Sequence, residues 1–254
     1  MLVEVFRLLR DGGAVVDDDI PEERLAPVTD LSPRHDLYVL KSHTELALSL
    51  AGTLDSLGAR VLNPYRNCLQ TQDKITSTRL LAAAGVPVPP SWIAGDLYSL
   101  APLLAEGPLI AKPHRGHWGR GIHILRGTAD IVSLPPETGP YIVQRYLGAD
   151  QEELKAYVVG QEAFGVVKSF SATSFQDSGR PVDLDSRTRE IVLACGAALG
   201  LHLYGVDLVR TDAGPFVVDV NYFPGYKGVP GAAELIAGYI YQYAAAVAQE
   251  RYVS

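Results

Sequence analysis

The segments YGVD (Tyr204–Asp207) and DVNYFPGY (Asp219–Tyr226) carry the strongest indication of fold in this chain. Both lie in apolar runs, Leu203–Val209 and Phe216–Val220, and a Thr-Asp-Ala-Gly turn separates these runs. Short apolar runs on either side of such a turn are typical of two antiparallel strands. The pattern therefore predicts a β-hairpin whose two strands both carry acidic residues.

The acidic residues of this hairpin are candidate metal ligands. Side chains two residues apart on a strand share a face, so Asp219 and Asn221 point the same way, and the partner strand can bring Asp207 beside them. Magnesium prefers oxygen ligands, usually takes one or two carboxylates, and completes its shell with phosphates and water. A surface hairpin with solvated acids is the alternative. The favoured interpretation is a site that holds Mg²⁺ against a nucleotide.

Composition restricts the class of protein. The chain has 254 residues, 47% of them hydrophobic and 20% charged, which is enough for a large core and favours two modest lobes over one. The net charge of -7 and the lack of basic runs argue against nucleic-acid binding. No apolar stretch approaches the roughly 20 residues that span a bilayer, and charges interrupt the N-terminal apolar run, unlike in a signal peptide. We therefore expect a cytoplasmic protein with a small-molecule partner and no membrane partner; the oligomeric state stays open.

Periodicity along the chain predicts a change of architecture. A strand at 36–40, a helix at 44–57 and a strand at 61–62 indicate a small parallel α/β unit, which a helix at 70–84 follows. Residues 11–34 are acidic and rich in proline, as expected of a surface connection. Short strands then predict a mostly antiparallel region, at 109–112, 122–125, 141–145, 154–159 and 163–168. Helices are predicted at 186–199 and 232–248.

A glycine-rich loop lies between two of these strands. Lys112 ends a strand, and Gly116, Gly119 and Gly121 follow before the next one. Glycines let a backbone approach phosphate oxygens, and a lysine at the strand end neutralises their charge. An ordinary flexible turn explains the glycines equally well. With the acidic hairpin downstream, however, the order is the one that phosphoryl transfer requires.

These motifs, in this order, resemble the ATP-grasp superfamily from about Asn63 to the C-terminus. The resemblance implies an α/β (α+β) fold in which a parallel lobe, 1–65, precedes an ATP-grasp domain, 66–254. Two lobes of that domain, 70–145 and 146–254, would clamp ATP with antiparallel sheets. The implied phosphate contacts are Lys74, Lys112, Gly116 and Gly119, and the implied adenine hinge is Gln144, Arg145, Tyr146 and Leu147. Glu152 or Glu153 would bind ribose, and Mg²⁺ would be held by Asp207, Asp219 and Asn221.

Two subfamilies compete for the acceptor. The loop GHWGR (116–120) resembles the GSWGR loop of the amino-group-carrier ligases of lysine biosynthesis, which are relatives of the RimK-like ligases, with histidine in place of serine. LKSHT (Leu40–Thr44), KAYVVG (Lys155–Gly160) and DVNYFPGY instead resemble segments of the inositol trisphosphate 5/6-kinases. The kinase-like resemblance favours phosphoryl transfer from ATP to a small polar acceptor, with His117, Lys155 and Lys41 as catalytic residues. The first alternative is a carboxylate–amine ligase acting through an acyl phosphate, and the second is a non-catalytic nucleotide-binding protein.

Overall fold

Three β-sheets organise the chain. The computed structural model describes residues 1–18, 25, 27–116, 121–132, 139–148, 152–169 and 178–253, and of residues 152, 169 and 250–253 it describes the backbone alone. The helices are α1 (Leu2–Asp11), α2 (Glu45–Ser56), α3 (Tyr65–Gln72), α4 (Lys74–Ala83), α5 (Ala101–Leu104), α6 (Thr128–Val132), α7 (Ser186–Leu199) and α8 (Ala232–Val253). The strands are β1 (Tyr38–Val39), β2 (Val61–Leu62), β3 (Ser91–Ala94), β4 (Leu109–Pro113), β5 (His123–Leu125), β6 (Tyr141–Arg145), β7 (Glu152–Val159), β8 (Glu162–Ser169), β9 (Arg180–Val182), β10 (Leu203–Thr211) and β11 (Gly214–Tyr222).

The N-terminal lobe contains the predicted parallel pair. Strands β1 and β2 run parallel, with Tyr38 opposite Val61, and α2 connects them. Helix α2 begins where predicted because the Thr44 hydroxyl accepts a hydrogen bond from the Ala47 amide at 3.2 Å, a typical N-terminal cap. Helix α1 packs against α8 from the opposite end of the chain. Among the described residues, no helix is long and apolar enough to cross a membrane.

The prediction of one helix over 70–84 was wrong. The structure has two helices, because Asp73 is extended, with φ -87° and ψ 104°, between α3 and α4. Its carboxylate accepts hydrogen bonds from the amides of Ile75 and Thr76 at 3.1 and 3.0 Å, so it ends one helix and caps the next. Lys74 therefore lies at the first position of α4, where its amide donates to the carbonyl of His114 at 2.8 Å.

A four-stranded antiparallel sheet follows, in the order β3-β6-β4-β5. The strands predicted at 109–112, 122–125 and 141–145 are confirmed, and β3 adds an edge that the sequence pattern did not predict. This sheet has a separate small hydrophobic core around Leu109, Leu125 and Val143, all 0% exposed. Lys112 on β4 contacts both Gln144 on β6 and Val218 on β11, so this sheet meets the C-terminal hairpin.

The C-terminal sheet has five antiparallel strands, in the order β11-β10-β7-β8-β9. The predicted hairpin is confirmed as β10 and β11, and α7 covers the sheet between a cap at Asp185 and a left-handed Gly200 (φ 63°). The hydrophobic core of this five-stranded sheet is continuous with that of the N-terminal lobe. The mixed α/β fold with one parallel and two antiparallel sheets is therefore the one expected; the lobe boundaries stay predictions.

Asn63 connects the N-terminal lobe to β10. The side chain is 0% exposed, its amide nitrogen donates to the Leu203 carbonyl at 2.7 Å, and its oxygen accepts from the amides of His202 and Leu203 at 2.7 and 2.9 Å. The Asn63 oxygen is the acceptor for both amides, whereas the Leu203 carbonyl also accepts from the Phe223 amide at 2.7 Å. Asn63 therefore fixes where the first lobe meets the hairpin of β10 and β11.

We expect Asn63→Ala to lower the free energy of unfolding by about 3 kcal/mol. The amides of His202 and Leu203 would lose their acceptor, and each such loss costs roughly 1–3 kcal/mol before relaxation. The measurement is urea denaturation followed by circular dichroism. The control is Asn67→Ala, which removes one half-buried hydrogen bond to the Gly200 carbonyl (2.7 Å) and should cost about 1 kcal/mol. Equal losses of unfolding free energy in both variants would contradict the role of Asn63 in joining the N-terminal lobe to β10.

Candidate active site

The acidic residues of the hairpin converge as predicted. Asp207 on β10 lies directly opposite Asp219 on β11, and Asn221 follows two residues later on the same strand. The register shifts between Asp207 and Leu208, so the hairpin bends at the acidic pair. The Asn221 amide nitrogen lies 3.4 Å from a carboxylate oxygen of Asp219. The two carboxylates and the amide thus share one face of the five-stranded sheet.

Each carboxylate of this pair has a lysine partner. The ammonium of Lys74 contacts both oxygens of Asp219, at 2.8 and 3.0 Å. Lys155, opposite Asp207 on the neighbouring strand β7, donates to Asp207 at 2.8 Å and contacts Glu153 at 3.1 Å. All of these side chains are less than one third exposed. The result is a partly buried network of alternating charges.

The protonation of this network follows from burial and charge together. Burial raises the pKa of Asp219, but the nearby Lys74 and Lys112 outweigh it, so this pKa lies below its ordinary value. Burial and the neighbouring Asp207 raise the pKa of Glu153. Burial would lower the pKa of Lys155, yet its two carboxylate partners raise it. Lys155 therefore stays charged at neutral pH.

Lys112 joins the two antiparallel sheets. It ends β4, is 7% exposed, and its ammonium donates to the Gln144 side-chain oxygen at 2.9 Å and to the Val218 carbonyl on β11 at 3.0 Å. Burial lowers its pKa, against the opposing effect of Asp219. A lysine in this position, between a strand of each sheet and beside Asp219, is placed to meet a phosphate that lies between the sheets.

The predicted adenine hinge begins at the end of β6 and lines the same cavity. Gln144, Arg145, Tyr146 and Leu147 all line it. The Arg145 side chain contacts other parts of the protein. Its guanidinium donates to the Gly107 carbonyl at 2.7 Å and lies over the Trp92 ring, 5.3 Å from its centroid. The Arg145 guanidinium is therefore engaged within the protein and is not available to a ligand.

Several predicted site residues lie outside the part of the chain that the structure describes, or next to its ends. His117 and Gly119 lie outside the described residues, and so does the side chain of Glu152. Gly116 lines the cavity, as does Glu153. The predicted ribose role therefore rests on Glu153, which is already paired with Lys155.

The cavity between the two sheets extends into the N-terminal lobe. Its volume is about 1910 Å³, and Lys41, Lys74, Lys112 and Lys155 all line it together with Asp207, Asp219 and Asn221. A volume of this size exceeds the roughly 300–1,000 Å³ that one ligand needs. The predicted site residues that the structure describes thus surround one space that has room for a nucleotide and a second substrate.

Sequence reasoning missed the contact between this hairpin and the N-terminal lobe. Tyr222, next to Asn221, stacks on His43 with ring centroids 4.1 Å apart and donates to the Ser42 carbonyl at 3.2 Å. Phe223 follows with a positive φ of 31°. The aromatic pair at the end of β11 was the available signal, since two buried aromatic side chains require a packing partner. The N-terminal lobe thus supports the hairpin at its acidic end.

The residues at this site fit a magnesium ion. Among the described residues, no three His, Cys, Asp or Glu side chains are arranged to hold a metal alone. Asp207, Asp219 and Asn221 would supply two carboxylates and an amide oxygen, a set that leaves coordination positions for phosphate and water. This is the arrangement that magnesium favours in nucleotide sites. The donor chemistry therefore suits a nucleotide-bound Mg²⁺ better than a closed structural metal site.

Comparison with known proteins agrees with this geometry. Residues 71–237 match the RimK-like ATP-grasp domain family. A probable alpha-L-glutamate ligase of Xanthomonas oryzae pv. oryzae is 28% identical over 218 residues, which cover 80% of this chain and 74% of that protein. The kinase prediction finds no support among these relatives, whereas the ligase alternative does.

Solved structures show the same fold. The RimK domain ATP-grasp protein of Sphaerobacter thermophilus superposes with a TM-score of 0.75 at 18% identity, over 93% of both chains. The D-alanine–D-alanine ligase of Bacillus anthracis, solved with ATP, superposes with a TM-score of 0.67 at 21% identity, over 85% of this chain and 81% of that one. The family match covers more than half of the chain, from the end of α3 into α8. The protein belongs to the RimK-like ATP-grasp family and is an ATP-dependent enzyme.

Proposed function

We propose that the protein is an ATP-dependent carboxylate–amine ligase that acts through an acyl phosphate. The observation that carries the proposal is the single cavity in which Lys74, Lys112 and Lys155 face the acidic pair, with space left for a second substrate. The relatives that are named as enzymes are ligases, and they support this choice over a kinase. A cytoplasmic location belongs to the same proposal, because the reaction consumes ATP. A small-molecule acceptor belongs to it as well, because the cavity has space for a second substrate.

The first step would transfer the γ-phosphate. A carboxylate oxygen of the acceptor attacks the γ-phosphorus, the bond to the β-phosphate oxygen breaks, and ADP leaves. Lys74 and Lys112 are placed to neutralise the phosphates, which is the main requirement of phosphoryl transfer. Magnesium, when bound by Asp207, Asp219 and Asn221, would supply further charge neutralisation.

The second step would form the amide. The amine attacks the acyl carbon, inorganic phosphate leaves, and the amine loses a proton to the departing phosphate or to water. Lys155 stays charged because of its carboxylate partners. It therefore stabilises the negative charge that develops on the acyl oxygen and does not serve as the base.

Trapping with hydroxylamine tests this function. The protein would be incubated with ATP, Mg²⁺ and a panel of carboxylic acids, amino acids and polyols, with hydroxylamine as a general amine. We expect one hydroxamate, one ADP and one free phosphate for each turnover, because hydroxylamine captures an acyl phosphate. A product that keeps the phosphate and forms no hydroxamate, as from a polyol, would instead establish the kinase.

A further inference from the structure

Lys41 lies at the junction of the N-terminal lobe and the hairpin. It follows β1 and Leu40, and its ammonium lies over the Phe223 ring, 5.4 Å from the centroid. Phe223 is 1% exposed and comes two residues after Asn221. Lys41 and Phe223 both line the cavity that also contains the acidic pair. The N-terminal lobe thus places a cation at the inner end of the nucleotide site.

This lysine differs from the other cations of the cavity. Lys74, Lys112 and Lys155 each donate to a protein oxygen within 3.0 Å. Lys41 has the face of Phe223 as its contact and no carboxylate or carbonyl partner among the described residues. Burial lowers its pKa, and no neighbouring carboxylate opposes that effect. A half-buried ammonium without an anion is costly, and a bound anion removes that cost.

The part of the cavity in the N-terminal lobe has an apolar arm. Its walls come from α1, α2, β2 and the end of β1, and they include Leu9, Leu40, Ala51, Leu54 and Val61. The charged residues of the same region contact each other: Arg10 lies 3.3 Å from Asp18, and His35 lies 3.6 Å from Asp17. They therefore do not compete for the ammonium of Lys41. A ligand in this arm would meet aliphatic surface and the ammonium of Lys41, which has no anionic partner among the described residues.

We propose that Lys41 and this apolar arm form the acceptor site, and that the acceptor is a carboxylate with an apolar body. Lys41 would bind one carboxylate oxygen and direct the other toward the γ-phosphate, while the aliphatic body packs between α1 and α2. Lys41 is then a substrate-binding residue, in place of the catalytic role expected from the kinase resemblance. The inference rests on the proposed ligase function, since a ligase requires an acceptor carboxylate. The carboxylate could belong to a free acid or to the C-terminus of a peptide.

Calorimetric titration of the full chain tests the inference without turnover. The cell would contain protein, Mg²⁺ and a non-hydrolysable ATP analogue, and the probes would be octanoate, acetyl-Ala-Ala-Leu and succinate. We expect octanoate or the peptide to bind at least about tenfold more tightly than succinate, since the arm offers aliphatic surface and one cation. The tighter of the two apolar probes identifies the source of the carboxylate.

Charge variants complete the test. Lys41→Met should weaken binding of the apolar probe at least about tenfold, and Lys41→Arg should restore it to within about threefold, because a charge-assisted hydrogen bond is lost and regained. The control is Arg79→Met, which removes an exposed charge of α4 outside the cavity and should change binding less than twofold. Unchanged binding in Lys41→Met, or equal binding of succinate, would overturn the inference.

The two proposals fail separately. Hydroxamate formation that does not depend on Lys41 would leave the ligase intact and remove the acceptor site. Binding of octanoate through Lys41 without any hydroxamate would keep the site and remove the ligase. The titration and the trapping assay therefore decide different questions about the same cavity.

Discussion

We expect Asp219→Asn to lower the rate of ATP consumption at least about 100-fold. Asp219 is one of two carboxylates that would hold the magnesium ion, and it also pairs with Lys74 at 2.8 Å. Its replacement by a neutral amide removes the charge from both interactions. Loss of one group that stabilises developing charge typically costs about 10²–10³ in kcat. The measurement is steady-state release of ADP with the acceptor that the trapping assay identifies.

The control for this variant is Asp212→Asn. Asp212 lies at the exposed turn of the same hairpin, so the change has the same chemistry outside the cavity. We expect its turnover to stay within about twofold of the wild type. A rate for Asp219→Asn that matches the wild type would remove Asp219 from the metal site.

The difference in stability between Asp219→Asn and the wild type should depend on pH. The folded pKa of Asp219 lies below its ordinary value of 3.8, so the ionised carboxylate stabilises the fold above pH 3.8, and this contribution is lost as pH falls through the folded pKa. Asp219→Asn should therefore be less stable than the wild type by about 1–2 kcal/mol at pH 6, with the partial exposure of the pair taken into account. The difference should shrink in urea denaturation at pH 3.

The second large effect is expected for Lys112→Met. The variant should bind ATP about 100-fold more weakly, because it removes a buried ammonium placed to form charge-assisted bonds with phosphate. Its stability should fall by about 1–3 kcal/mol, because the Gln144 side-chain oxygen and the Val218 carbonyl lose their donor. The loss is limited because burial of the charge already lowers the pKa of Lys112, and an apolar side chain of similar length avoids that desolvation. Titration with ATP and Mg²⁺, together with urea denaturation, measures both quantities.

Arg126→Met is the matched control for this lysine. Arg126 is exposed directly after β5 in the same sheet, and it does not line the cavity. Its ATP affinity should stay within about twofold of the wild type. A large loss of stability in Lys112→Met with unchanged ATP affinity would show that Lys112 joins the sheets and has no contact with the nucleotide.

The hairpin was the most predictable part of the site. Alternation along β10 and β11 and the turn between them determine the register, and the register alone brings Asp207 opposite Asp219. Lys155 was harder to interpret, because its place beside Asp207 depends on β7 pairing with β10, a contact between strands far apart in sequence. Local periodicity contains no information on such pairings.

The wrong and missing predictions have physical causes. The residues from Gln70 to Ala84 have acceptable helix propensity throughout, and the break at Asp73 comes from a side-chain cap that competes with the helical backbone. The apolar arm could not be predicted, because it forms between α1, β1 and α2 only after these elements pack. The preference for a kinase came from short segments, such as KAYVVG, that resemble the inositol trisphosphate 5/6-kinases, and a few residues in a strand do not determine the acceptor. The family match over 71–237 corrected it.

The pairing of Lys74 with Asp219 makes the binding of metal and nucleotide interdependent. A free divalent ion that enters this site competes with an ammonium already bound to Asp219, so its affinity is lowered by the strength of that ion pair. A nucleotide offers Lys74 a phosphate in exchange and releases the carboxylate for the ion. By linkage, each ligand then raises the affinity of the other by the same factor. The protein would thus take up the Mg²⁺–nucleotide complex as a unit and stay largely free of metal when nucleotide is scarce.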